Sequence, residues 1–371
     1  MTNNLVMIDG ISGSGKEGRI QDLQDYAEKE LGLEVTTFYE PKYYREEILK
    51  IKNAPIRNPE KELELFIKSR KKGLTDYEYL LNKQGHLIIG NRGFISTEVY
   101  QSLQGIPLQR IREQNAFYPT PGLAMILLCD PEIALQRIKK RNEEEGKPLN
   151  LDEQLEKIEK LHNKYIEIAK DLPYAEIINT NGRPEAINLV LQSHLNNYLG
   201  IEMNKAIFLD KDGTIVDNSQ YPEIIPTDKI YQESFETLRN FQEKGYKLFI
   251  ISSQPWVARG RMTPQEVENV FKSVATQYKE KGITINDWGY CIHGRDKNCP
   301  DKKPQTRLFE QIIKKYNINT TRSYMIGDMD SDITAGQNIG LKTIRIKSNL
   351  PNTTTPRYTI NNIKEAKQII K

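Results

Sequence analysis

Twice in this chain a short apolar run stops abruptly in a loop suited to phosphate. Leu5–Ile8 leads into Gly10-Ile11-Ser12-Gly13-Ser14-Gly15-Lys16, and Ala206–Leu209 leads into Asp210-Lys211-Asp212-Gly213-Thr214. Runs of this length bounded by turn residues read as buried strands. In open α/β sheets, ligands bind at the carboxyl ends of strands. The rhythm recurs in the first half at Leu87–Ile89, Ala124–Leu128 and Glu176–Ile178, with helical patterns such as Leu151–Ala169 between. It restarts in the second half with Lys247–Ile251, Ser323–Ile326 and Lys342–Ile346. Strands alternating with amphipathic helices predict parallel sheets covered on both faces. The expected fold class is therefore α/β, with two doubly wound parallel-sheet domains. The helical stretch Pro184–Leu199, closed by Gly200, sets the boundary, giving domains 1–200 and 204–371. A chain of 371 residues has room for two such cores.

Composition excludes several classes. With 37% hydrophobic and 28% charged residues, no apolar run approaches the roughly 20 residues that span a bilayer. No basic segment followed by an apolar stretch opens the sequence, so a cytoplasmic protein without a membrane partner is expected. Net charge is only +3, and the basic clusters Lys68–Lys72 and Arg137–Arg141 read as solvated helix faces. A nucleic-acid partner is thus the less favoured one, small phosphorylated molecules and nucleotides being preferred. Oligomeric state is not legible. The 3 cysteines cannot all pair. Cys129 reads as packing, whereas Cys291 and Cys299 have a better use than a disulfide.

In the first loop, the spacing Gly10-x4-Gly15-Lys16 between a strand and a helix is that of a phosphate-binding loop. Gly10, Gly13, Ser14 and Gly15 let successive amides converge on phosphate oxygens at a helix start, and Lys16 reaches the terminal phosphates of ATP. The position after the lysine, where a hydroxyl meets Mg²⁺, carries Glu17.

Across nearly all of residues 1–199 this half resembles the thymidylate kinase family. Glu40-Pro41 is similar to the family's Glu-Pro turn, and Asn91-Arg92-Gly93 through Tyr100-Gln101 to its Asp-Arg-Tyr segment. Asp130 to Arg137 is similar to the stretch leading into the lid arginines. The resemblance implies that Arg70 binds the acceptor's phosphate and that Arg92, Arg137 and Arg141 help hold nucleotide. Three positions depart from it. Ser12 stands where an acidic residue touches the acceptor sugar, Glu17 replaces the metal-binding hydroxyl, and Asn91 replaces an aspartate that organises the metal.

In the second loop, Asp210 is placed to attack phosphorus as a nucleophile, and Asp212 to protonate the leaving oxygen and then activate water. Two carboxylates beside a phosphate require a cation, which implies Mg²⁺. Ile250-Ile251-Ser252-Ser253-Gln254, Lys303 before Pro304, and Gly327-Asp328-Met329-Asp330-Ser331-Asp332 follow in order. Together these segments resemble the haloacid dehalogenase-like phosphatases over residues 205–371. The resemblance implies that Ser252 supplies a hydroxyl and Lys303 neutralises the phosphate. Asp210, Asp212 and Asp328 would hold Mg²⁺, and Asp332 would orient Lys303 or assist the metal. Ser252 to Gly260 resembles a segment of the histidinol-phosphate and heptose-bisphosphate phosphatases, and Cys291-x-His293-x5-Cys299-x-Asp301 resembles their zinc loop. Cys, His and carboxylate all suit tetrahedral zinc, so Cys291, His293, Cys299 and Asp301 form the expected ligand set.

The leading expectation is a bifunctional phosphoryl-transfer protein. A Mg²⁺-dependent phosphatase acting through an aspartyl-phosphate on a small phosphorylated metabolite or nucleotide is joined to a nucleotide-binding, nucleoside monophosphate kinase-like domain. Two alternatives remain: a polynucleotide 5′-kinase/3′-phosphatase, and a phosphatase governed by a nucleotide-sensing kinase-like domain that no longer transfers phosphate.

Overall fold

The computed structural model describes residues 3–149, 153–217, 229–294, 299–349 and 352–371. The chain divides into two compact units, Met1–Asn181 and Gly182–Lys371.

The first unit holds β1 (Leu5–Gly10), β2 (Glu34–Tyr39), β3 (His86–Asn91), β4 (Leu123–Leu128) and β5 (Ala175–Asn179). They form a parallel sheet in the order β2-β3-β1-β4-β5. All six residues of β1 and of β4 are buried, which is why they read as unbroken apolar runs. The chain leaves β1 toward β3 and β2 on one side and toward β4 on the other. The carboxyl end of β1 is therefore a topological switch point, where loops diverge and leave a crevice.

The second unit continues with β6 (Lys205–Leu209), β7 (Tyr246–Ser253), β8 (Ile285–Cys291), β9 (Tyr324–Gly327), β10 (Lys342–Ile346) and β11 (Tyr358–Ile360). Its parallel order is β11-β10-β9-β6-β7-β8, again with the first strand inside and a switch point at its end. Side chains of β6 alternate between two cores: Ile207 and Leu209 join Phe241, Phe271 and Tyr278, while Ala206 and Phe208 join Phe249 and Phe309.

Helix Pro184–Leu199 differs from expectation. Its Ala186 and Leu189 enter the second unit's core beside Ala206 and Phe208. Ser193 Oγ accepts the Thr320 amide at 3.1 Å, and Asn197 donates to Thr321 Oγ1 at 2.7 Å. Contact, rather than the glycine that ends the helix, places it with the second unit. The helical pattern begun at Leu151 emerges as helix Leu155–Ala169, Leu151 itself lying outside the described residues. Among the described residues no helix is long and apolar enough to cross a membrane.

Candidate active sites

In the first unit, the phosphate loop follows β1 directly and Lys16 opens helix Lys16–Lys29. Gly10 has φ +134, and a Cβ there would lie 2.0 Å from Leu127 O, so only glycine lets the loop leave the sheet here. Lys16 folds back into the loop, its Nζ donating to Gly10 O at 2.9 Å and Ile11 O at 2.6 Å. Burial, with Arg92 nearby, pulls its pKa down to about 7. Ser14 Oγ donates to Ile11 O at 2.8 Å, and Gly15 is left-handed and open. Arg137 reaches Gly13 O at 3.4 Å, whereas Arg141 pairs with Glu153 at 2.8 Å. Glu17 is exposed on the first helical turn, and Asn91 Oδ1 is buried without a hydrogen-bond partner.

Beside the loop lies a cavity of about 710 Å³. Ser12, Arg70 and Arg92 line it, and Lys52, Arg57 and Lys157 add further positive charge; among the described residues Glu40 is the one carboxylate that lines it. Arg70 is buried, donating to Glu40 Oε2 at 2.8 Å, Thr97 Oγ1 at 2.9 Å and Asn115 Oδ1. Burial pushes the Glu40 carboxyl upward against the pull of Arg70. Gln101, also on the wall, has both amide atoms buried with no partner.

Sequence reasoning missed Asp9. This buried carboxylate accepts from the amides of Gly10 (2.7 Å) and Ser96 (3.0 Å) and the hydroxyls of Ser96 (2.6 Å) and Tyr165 (2.8 Å). The available signal was its place: it follows Leu5–Ile8 just as Asp210 follows Ala206–Leu209.

In the second unit, the ends of β6, β7 and β9 converge. Asp210, Asp328 and Asp332 are all buried and bring carboxylate oxygens within 4.8 Å of one another. Lys303 Nζ lies 2.5 Å from both Asp210 Oδ1 and Asp332 Oδ1 and donates to Ile251 O at 2.9 Å. Burial, reinforced by Asp332 and Asp212, pushes Asp210 up to about 7 against the pull of Lys303. Burial, with Asp332 nearby, pushes Asp328 up to about 6. Asp328 Oδ1 is buried with no hydrogen-bond partner. Three buried carboxylates, one with an orphaned oxygen, fit a hard divalent cation such as Mg²⁺. Gly327 permits the packing, since a Cβ there would fall 2.4 Å from Asp332 Oδ2.

Asp212 departs from the expected metal set. Its carboxylate is not in that group but lies on the Lys211 ammonium and 2.9 Å from Gln254 Nε2. The lysine between the two aspartates, itself buried, draws it aside. Ser252, also buried, accepts from Gln254 Nε2 at 3.0 Å.

At the end of β8, the Cys291 and Cys299 sulfurs lie 3.5 Å apart, with His293 Nδ1 at 3.6 Å and 3.1 Å from them. Asp301 is not part of this cluster. Arg307 takes both its carboxylate oxygens, at 2.6 Å and 2.5 Å, a bidentate pair that leaves Asp301 engaged elsewhere. Part of the loop, residues 295–298, lies outside the described residues. Cys129 is buried in the first unit's core.

Comparison with known proteins also finds two different families in the chain. The thymidylate kinase family matches residues 8–189, and the HAD-hydrolase-like family matches residues 301–366. Over 160 residues, 43% of this chain and 89% of the relative, the chain is 34% identical to a D-glycero-beta-D-manno-heptose-1,7-bisphosphate 7-phosphatase of Helicobacter pylori strain J99. It is 29% identical to one from Pasteurella multocida over 180 residues, 46% of this chain and 98% of that protein. A crystal structure of D,D-heptose 1.7-bisphosphate phosphatase from B. bronchiseptica overlaps 45% of this chain and 97% of its own, with 17% identity and a TM-score of 0.40. The chain belongs to the heptose-bisphosphate phosphatase family of HAD-type hydrolases, with a thymidylate kinase-like half ahead of that part.

Proposed function

We propose that the second unit hydrolyses a phosphomonoester of a small sugar bisphosphate, and that the first binds ATP and serves a nucleoside monophosphate poorly. The observation that carries the phosphatase reading is Lys303 held between Asp210 and Asp332 at the strand ends. An Asp210 carboxylate oxygen attacks phosphorus, and the bond from phosphorus to the ester oxygen breaks. Asp212 gives that oxygen its proton, leaving an aspartyl-phosphate on Asp210. Asp212 then takes a proton from water, whose oxygen attacks the same phosphorus and releases phosphate and the Asp210 carboxylate. Lys303 and the Ser252 hydroxyl hold phosphoryl oxygens. A divalent cation held by Asp210, Asp328 and Asp332 supplies further charge neutralisation when bound. The sugar class rests on the relatives' substrates. A phosphate-release screen with Mg²⁺ tests it, and sugar bisphosphates should exceed sugar monophosphates, nucleotides and 3′-phosphorylated oligonucleotides. Preference for the oligonucleotide would instead support nucleic-acid end repair.

The thiol–imidazole cluster supports one zinc per chain, held by Cys291, His293 and Cys299. Metal analysis of protein purified without added zinc should find it, and a chelator should lower the melting temperature. No zinc and an unchanged melt would return the loop to a metal-free role.

For the first unit, the glycine loop and Lys16 support nucleotide binding. The unpaired amide of Gln101 and the basic cavity suit a nucleotide's base edge and phosphate. Glu17 puts a carboxylate where a metal-binding hydroxyl is needed, so transfer to dTMP should be slow. Glu17→Thr should raise Mg²⁺-dependent transfer. Brisk wild-type dTMP kinase activity that this change leaves alone would refute the account.

A further inference from the structure

Gln254 stands at a junction that the proposed hydrolysis does not itself explain. It is buried, at 2% exposure, immediately after β7. Its backbone amide donates to Cys291 O at 2.7 Å, which bolts it to the last residue of β8. Its side-chain Nε2 donates to Asp212 Oδ2 at 2.9 Å and to Ser252 Oγ at 3.0 Å. The other Asp212 oxygen lies on the buried Lys211 ammonium. One amide nitrogen therefore grips both the group that moves the proton and the hydroxyl that holds phosphate, and Asp212 is clamped from two sides.

We propose that Gln254 is a positioning residue of the phosphatase, fixing the Asp212 carboxylate in line with the leaving oxygen and in register with Ser252. The inference rests on the reading of Asp212 as acid and base. A carboxylate that rotates freely seldom presents its proton along the breaking bond, and a small misplacement is costly in rate. The clamp matters most where the leaving oxygen is a poor one and needs that proton. An activated leaving group departs with little help. A merely structural glutamine would affect both equally.

The test uses the full chain with Mg²⁺ and two aryl esters of similar shape, phenyl phosphate and p-nitrophenyl phosphate. Gln254→Met keeps the side chain's length and removes its donors. Its kcat on phenyl phosphate should fall by roughly 30- to 100-fold with KM within about threefold, part of the roughly 10²–10⁴ that acid–base catalysis supplies. The fall on p-nitrophenyl phosphate should be at least about fivefold smaller. Equal falls on the two esters, or a change confined to KM, would overturn the inference. Asp212→Asn is run alongside. If it also leaves the ratio of the two rates unchanged, the acid–base reading fails and the inference falls with it. If it changes the ratio and Gln254→Met does not, only the role of Gln254 fails. Should Gln254→Met not fold, Gln254→Asn, which withdraws the amide by one methylene, is judged by the same ratio.

Discussion

Asparagine at position 210 should reduce phosphate release at least about 10⁴-fold while the protein still folds. The amide matches the carboxylate in shape, and its oxygen can still accept from Lys303, so the local hydrogen bonds survive. It has no anionic oxygen to form the bond to phosphorus. Removing one charge from a cluster in which burial and neighbouring carboxylates already push Asp210 up to about 7 should cost little stability. Steady-state phosphate release and a thermal melt on the same preparation decide the matter. Turnover within tenfold of wild type in a protein with an unchanged melt would remove Asp210 from the reaction.

Lys303→Met should lose both activity and stability. The ammonium is buried between Asp210 and Asp332, and its removal leaves two inward-facing carboxylates without their cation. Breaking a buried pair from one side costs about 3–5 kcal/mol. Loss of a positive group aimed at the phosphoryl oxygens costs roughly a further 10²–10³ in kcat. The destabilisation should shrink as pH falls. A carboxyl whose folded pKa is raised contributes stability at low pH that is lost as pH rises through the folded value, here about 7 for Asp210 before the lysine is removed. Denaturant titrations at pH 5.5 and pH 8, about 1.5 and 1 units either side of that value, should therefore show the larger deficit at the higher pH. A uniform deficit would indicate lost packing rather than unpaired charge.

The inner strands were legible because burial on both sides makes them continuous apolar runs: β1, β4, β6 and β9 appear directly in the sequence. β2, β8 and β11 do not, and all three are sheet edges. There, half-exposed segments such as Glu34–Tyr39 mix polar and apolar residues without a clear period. The residues of the second site that the structure brings together were nameable where they follow strands, Asp210 after β6 and Asp328 after β9. The positions of Asp212 and Asp301 were not, since each is decided by a neighbouring cation, Lys211 or Arg307, whose reach no spacing rule gives. The clamp at Gln254 joins β7 to β8 through a backbone bond to Cys291, 37 residues on, and pattern alone does not predict such a bond.

Helix Pro184–Leu199 has a consequence for how this gene can be divided. Kinase-family sequence runs to residue 189, yet the helix carrying its final stretch fills the phosphatase core. Gly340 shows how closely: a Cβ there would meet Val190 Cγ2 at 2.8 Å. A fragment begun after Gly200 would forfeit that helix and bare the apolar patch around Phe208 and Met325. A phosphatase fragment should therefore begin at Gly182, where the folded unit begins, even though the thymidylate kinase match runs on to residue 189.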